Sequence, residues 1–112
     1  METDDKKFLF DIAQAVKDVQ AFTAELLFDG YAKNRLVKAA VERKFEIMGE
    51  ALNRLHKITP ETAEAVRNYK KIISFRNILI HGYDVVSDPI VWDIIQNSLP
   101  ELLEDVENLL LA

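Results

Sequence analysis

The chain has 112 residues, 49% hydrophobic and 29% charged, with a formal net charge of −5 and no cysteine. That balance suits one globular domain over residues 1–112 with a modest core and excludes a disordered chain. It leaves neither a disulfide framework nor a thiolate metal site, and no apolar run is long enough to span a bilayer. The amino terminus, Met1-Glu2-Thr3-Asp4-Asp5-Lys6-Lys7, is charged and lacks the apolar stretch of a signal peptide. The expectation is a cytoplasmic protein with no membrane partner.

Charge is unevenly placed. From Tyr31 to Arg76 there are eleven basic and five acidic residues, so this middle carries +6 and the two ends together −11. A basic middle suits phosphate binding or an acidic partner, and it also suits ordinary solvated helix faces.

Residues 4–27 have a helical period, with Phe8, Ile12, Ala15, Val16, Val19, Phe22, Leu26 and Leu27 at steps of three and four. Thr3, Asp4 and Asp5 are candidate N-caps, and Gly30 is the expected left-handed stop. A second long helix is predicted over 31–55, its apolar stripe running from Leu36 through Val41, Phe45, Met48 and Leu52 to Leu55. Two long helices joined by a short turn pack antiparallel. Gly49 sits inside the second helix, where it costs about 1 kcal/mol relative to alanine. A close helix contact there is the simplest compensation, and it places the Glu50 carboxylate near the crossing. Asn34, Lys38 and Glu42 share another face.

His56-Lys57-Ile58 reads as a connector. Thr59-Pro60 starts a short helix over 60–67, the threonine capping it and the proline taking its first turn. Asn68 breaks that helix, and Tyr69 to His81 forms a fourth, with Ile72, Ile73, Phe75, Leu79 and Ile80 as its apolar contacts and Gly82 as its stop. Residues 83–87 form a loop. Asp88-Pro89 repeats the cap-then-proline start of a last helix over 89–111, which Pro100 kinks or splits. Nothing alternates at period two for long, so no sheet is expected. The predicted fold is all-α, an up-down bundle of four to five helices.

One stretch concentrates polar chemistry: Arg76-Asn77-Ile78-Leu79-Ile80-His81-Gly82-Tyr83. Asn77 and His81 are four residues apart and share a helix face. Arg76 and His81 lie about 140° apart on an ideal helix of 3.6 residues per turn. RNA cleavage needs a base for the 2′-hydroxyl proton, an acid for the leaving oxygen, and cationic donors on the phosphate. Histidine serves either proton role near neutrality, and arginine holds phosphate with a planar fork. One histidine poorly serves two proton transfers, and His56 lies outside the motif. A symmetric homodimer with His81 near its two-fold axis would supply two. The same residues also read as a helix end: His81 on the last carbonyls, Arg76 paired with an acid of the first helix, Tyr83 as filler. His56 reads as surface or capping, Trp92 as core or interface, and Asp84, Asp88 and Asp93 as caps rather than metal ligands.

Arg76-Asn77, three residues, then His81 resembles the signature of the HEPN superfamily, and its extension to Tyr83 resembles the HepT toxins of MNT–HepT toxin–antitoxin pairs. The likeness covers nearly the whole chain, including Val41 to Ala51, His81 to Asp84 and Ile90 to Ile95. It implies an HEPN-like helical bundle that dimerises around the motif and cleaves RNA without a metal or other cofactor. Arg76 and His81 would then be catalytic and Asn77 the supporting polar residue. Tyr83 would be the residue that the nucleotidyltransferase antitoxin, MNT, modifies with AMP (AMPylation). That adduct adds bulk and negative charge beside the site. The alternative is a non-catalytic helical partner or substrate-binding subunit of a nucleotidyltransferase, and a third reading is a bundle with an incidental helix cap.

Overall fold

The structure, a computed structural model, describes residues 2–112, with the side chain of Tyr83 outside that description. The backbone is helical almost throughout, and no described residue is in a strand. The helices are α1 (Thr3–Thr23), α2 (Phe28–Lys33), α3 (Arg35–Ile58), α4 (Pro60–Glu64), α5 (Tyr69–His81), α6 (Asp88–Asp93) and α7 (Leu99–Leu111). A 3-10 turn, Tyr83–Val85, follows α5, and a π turn, Ile94–Ser98, joins α6 to α7. The all-α expectation holds, but short helices at the connections bring the number of segments above four to five.

The long helices form the frame. Lys44 of α3 pairs with Asp18 of α1 at 2.9 Å, and Thr59, just past α3, donates to Asp5 of α1 at 2.9 Å. Late residues of one helix therefore meet early residues of the other, so the pair is antiparallel. The α3–α5 pair is antiparallel too. His56 stacks on Tyr69, and the Phe45 and Phe75 rings meet edge to face at 5.1 Å. Leu9, Ile12, Val16 and Val19 of α1 face Val41, Phe45, Met48 and Leu52 of α3, and Leu99, Leu102 and Val106 of α7 close the core. Each of these side chains has almost no exposed surface, and burying one stabilises the fold by about 1.5–3 kcal/mol.

Several boundaries differ from those predicted. The first helix ends at Thr23, whose hydroxyl bonds the Val19 carbonyl, rather than at Leu27. The chain turns and starts α2, which carries Gly30 inside it, with no glycine at positive φ. The change of direction seats Tyr31 in the core, its ring 5.4 Å from that of Trp92. It leaves Phe22 and Leu27, both predicted inward, exposed, along with Leu36 of α3. Asn34 lies outside the predicted α3 face because its side chain accepts from the Val37 N–H and caps the helix. Residues 56–58 continue α3 instead of forming a connector.

Thr59 does not cap α4. Asp5 is 3% exposed, and a buried carboxylate needs a donor; the Thr59 hydroxyl supplies it. Asp88 likewise makes no cap bond, and its carboxylate takes Lys38 at 2.9 Å. Asn68, at φ 71, is the left-handed break before α5. Pro100 splits the last helix as predicted. Proline has no N–H and its ring clashes with the carbonyl four residues back. A wider turn, in which the Leu99 N–H reaches the Ile94 carbonyl, takes up the mismatch. That turn buries Ser98, which accepts Lys71 on its hydroxyl and Asn68 on its carbonyl.

Candidate functional site

Gly49 determines how closely α5 approaches α3. It is buried, and a Cβ there would overlap Arg76 Cβ and come within 2.7 Å of Arg76 Cγ and 3.2 Å of the Ile72 carbonyl. Only a hydrogen fits between the two helices. The predicted close contact at Gly49 is therefore present, and its counterpart is the Arg76 stem.

The arginine is fixed from two helices. Arg76 Nη2 donates to Glu50 Oε2 of α3, and Nη1 donates to Asn77 Oδ1 at 2.7 Å. The other Glu50 oxygen accepts from Arg54 Nε at 2.7 Å. Only 18% of the Arg76 side chain is exposed, against 38% for Glu50 and 62% for Arg54. Arg76 Nε is buried, and none of the described residues accepts from it. The acid that pairs with Arg76 is on the second long helix, not on the first as the helix-end reading had it.

His81 is exposed in the last turn of α5, where the Gly82 N–H closes the helix on the Ile78 carbonyl at 2.7 Å. No described side chain bonds its ring. Asn77 links the motif's two halves: it is one turn before His81 on the same face, and its oxygen is bonded to Arg76. Tyr83 opens the 3-10 turn; its candidate role falls on a side chain outside the described set. Ile78 and Ile80 within the motif and Val85 just past it are exposed apolar residues, as is Ile90 of α6.

The remaining candidates lie elsewhere. His56 bonds Glu64 at 3.0 Å and stacks on Tyr69. Trp92 packs between Phe28 and Tyr31. Among the described residues, no three His, Cys, Asp or Glu side chains gather as metal ligands do, and no helix is long and apolar enough to cross a membrane. Burial first, then Asp88 and Glu46 against the lowering effect of Lys38, pushes the Glu42 carboxyl above its ordinary range. The basic middle finds many of its acids within the chain. Lys38 takes Asp88, Lys44 takes Asp18, and Arg67 takes Glu101, Glu104 and Asp105. Sequence reasoning placed Glu50 near the crossing but assigned it no role, and it missed Arg54. The pairing of Gly49 with Glu50 was the available signal for the first; the four-residue step from Glu50 marks the second.

One helix of the all-α frame thus carries an anchored arginine, the asparagine bonded to it and an open histidine. A family profile described as "Ribonuclease HepT-like" matches residues 12–109, and the chain belongs to that family. A "Putative RNase" of Methanocaldococcus jannaschii is 33% identical over 104 residues, which cover 93% of this chain and 94% of the relative. A second protein so named in the same organism is 32% identical over 112 residues, with 96% and 88% covered. The "Probable ribonuclease HepT" of Thermococcus cleftensis is 29% identical over 113 residues, with 97% and 98% covered. No solved structure matches the chain.

Proposed function

We propose that this chain is a metal-independent endoribonuclease that acts as a homodimer, with Arg76 and His81 catalytic and Asn77 supporting them. The observation that carries the reading is the arrangement on α5. The Arg76 stem is packed and its fork is held at both terminal nitrogens, while His81 stands open to solvent one turn beyond Asn77. Each terminal nitrogen of Arg76 keeps a second hydrogen for a phosphate oxygen. His81 takes the 2′-hydroxyl proton, the 2′-oxygen attacks phosphorus, and the bond to the 5′-oxygen breaks. The second copy's His81 protonates that oxygen, leaving a 2′,3′-cyclic phosphate and a 5′-hydroxyl. Arg76 stabilises the charge that builds on the phosphate between these steps.

The family resemblance supplies the biological setting: a toxin whose partner is a nucleotidyltransferase antitoxin that transfers AMP from ATP to Tyr83. Tyr83 is two residues past His81. An adenylyl group there brings negative charge and bulk to the end of α5, where it repels RNA phosphate. The exposed apolar residues around the motif suit a second copy.

The test is purified wild type against His81→Ala on bulk RNA in EDTA, with folding and dimerisation checked for both. Wild type should cleave and leave cyclic phosphate ends; the variant should lose at least about 100-fold in rate, the usual minimum for removing an acid–base group. Equal cleavage by the two would remove His81 from the chemistry. No cleavage by either, with Tyr83 unmodified by mass, would favour a non-catalytic partner of a nucleotidyltransferase.

A further inference from the structure

We propose that Glu50 is the positioning residue for Arg76, setting the plane in which its guanidinium meets the phosphate. The proposal rests on the reading of Arg76 as the phosphate-holding arginine. Gly49 lets the Arg76 stem lie against the α3 backbone, so the next side chain of α3, Glu50, comes within reach of the fork. Its Oε2 takes Nη2, and Asn77 takes Nη1 from the other side. Two anchors on opposite nitrogens hold a planar group against rotation about its stem; one anchor does not.

The second Glu50 oxygen is held by Arg54 Nε. That bond keeps the carboxylate from swinging away, and it leaves the three-residue cluster with a net charge of +1 instead of a neutral pair. Glu50 is thus fixed from its own helix while it fixes a residue on another. Its carboxylate is committed to two arginines, which suits orientation and not proton transfer. Removing it should leave RNA binding nearly intact and slow the chemical step, because the charge developing on phosphate depends on how the fork is aimed.

The experiment has a readout independent of cleavage. Arginine labelled with 15N is introduced into wild type, Glu50→Gln and Arg76→Lys, the last to assign the Arg76 signals. In wild type the Arg76 Nη–H resonances should be resolved and slow to exchange, and in Glu50→Gln they should merge. Identical resonances in the two would overturn the proposal. On RNA, Glu50→Gln should lower kcat about 100-fold, the scale of a small misplacement at a reacting centre. KM should stay within about threefold. In an Arg76→Ala background the same change should have no further effect. Wild-type kcat for Glu50→Gln, or a further loss in that background, would overturn it. If Glu50→Gln does not fold, Glu50→Asp keeps the charge, loses only the reach, and carries the same expectations. If neither wild type nor His81→Ala cleaves RNA, the ribonuclease reading fails by itself, and the resonances alone decide whether Glu50 holds Arg76.

Discussion

Two glycines inside helices have opposite consequences. Gly30 of α2 is exposed at negative φ, and a Cβ there would meet only the Leu26 side chain, its movable Cδ2 at 3.3 Å and its Cβ at 3.9 Å. Gly49 faces a packed stem and a backbone carbonyl. Gly49→Ala gains helix propensity, but overpacking costs about 1–3 kcal/mol and outweighs it. It should lower the urea midpoint and displace Arg76, so stability and RNA cleavage fall together. Gly30→Ala should hold or raise stability, by up to about 1 kcal/mol. Urea unfolding of both variants checks the contrast, and a neutral Gly49→Ala would show that α5 can move away at little cost. Arg76 and Asn77 were legible as candidates from their types and spacing. That Asn77 bonds Arg76 was not, because neighbours in sequence diverge on an ideal helix and only long side chains bring them together.

At the scale of elements, the turn between α4 and α5 is tied to α7 by Arg67. Its guanidinium reaches Asp105 at 2.9 Å and Glu104 at 2.8 Å, and its backbone N–H also donates to Asp105. The Arg67 side chain first, then its backbone N–H, hold the Asp105 carboxyl below its ordinary 3.8 against the raising effect of partial burial. The folded protein therefore binds fewer protons here than the unfolded chain. The stabilisation is complete above 3.8 and is lost as pH falls through the lower folded value. Asp105→Asn should lower stability at pH 7 by roughly 1 kcal/mol, the upper range for a partly exposed pair. It should also make the loss of stability below pH 4 shallower, as measured by thermal unfolding at several pH values. An unchanged acid limb would assign that limb to other carboxylates. The α5 boundaries were readable because Asn68 and Gly82 bracket a clear period. Those of α1 and α2 were not, since the apolar period runs on past Thr23 and only the packing of Tyr31 against Trp92 requires the turn.

At the scale of the whole molecule, the charge imbalance becomes intramolecular. The acidic ends, folded as α1, α6 and α7, lie against the basic α3 and the α4–α5 turn, and Lys38, Lys44 and Arg67 pair with them. The apolar residues left outside include Ile78 and Ile80 in the motif and Val85 just past it. If a second copy covers them, Ile80→Asp should shift the protein to monomer in sedimentation equilibrium and remove cleavage while the monomer stays folded. Ile80 is 46% exposed, so the change costs the isolated chain little. A folded, active monomer would require a second proton-transfer group within one chain.

By itself the sequence determined an all-helical chain, the span of α5, a tight crossing at Gly49 and the polar motif near one helix end. These are local properties: apolar period, capping residues, glycine and the side chains' own chemistry act over a few residues. Only the tertiary structure decided which acid meets Arg76, where α1 stops, and that the basic middle is partly neutralised from within. Each of those depends on residues far apart in the chain, brought together by burial of the α1, α3, α5 and α7 faces. No spacing along the sequence encodes that approach.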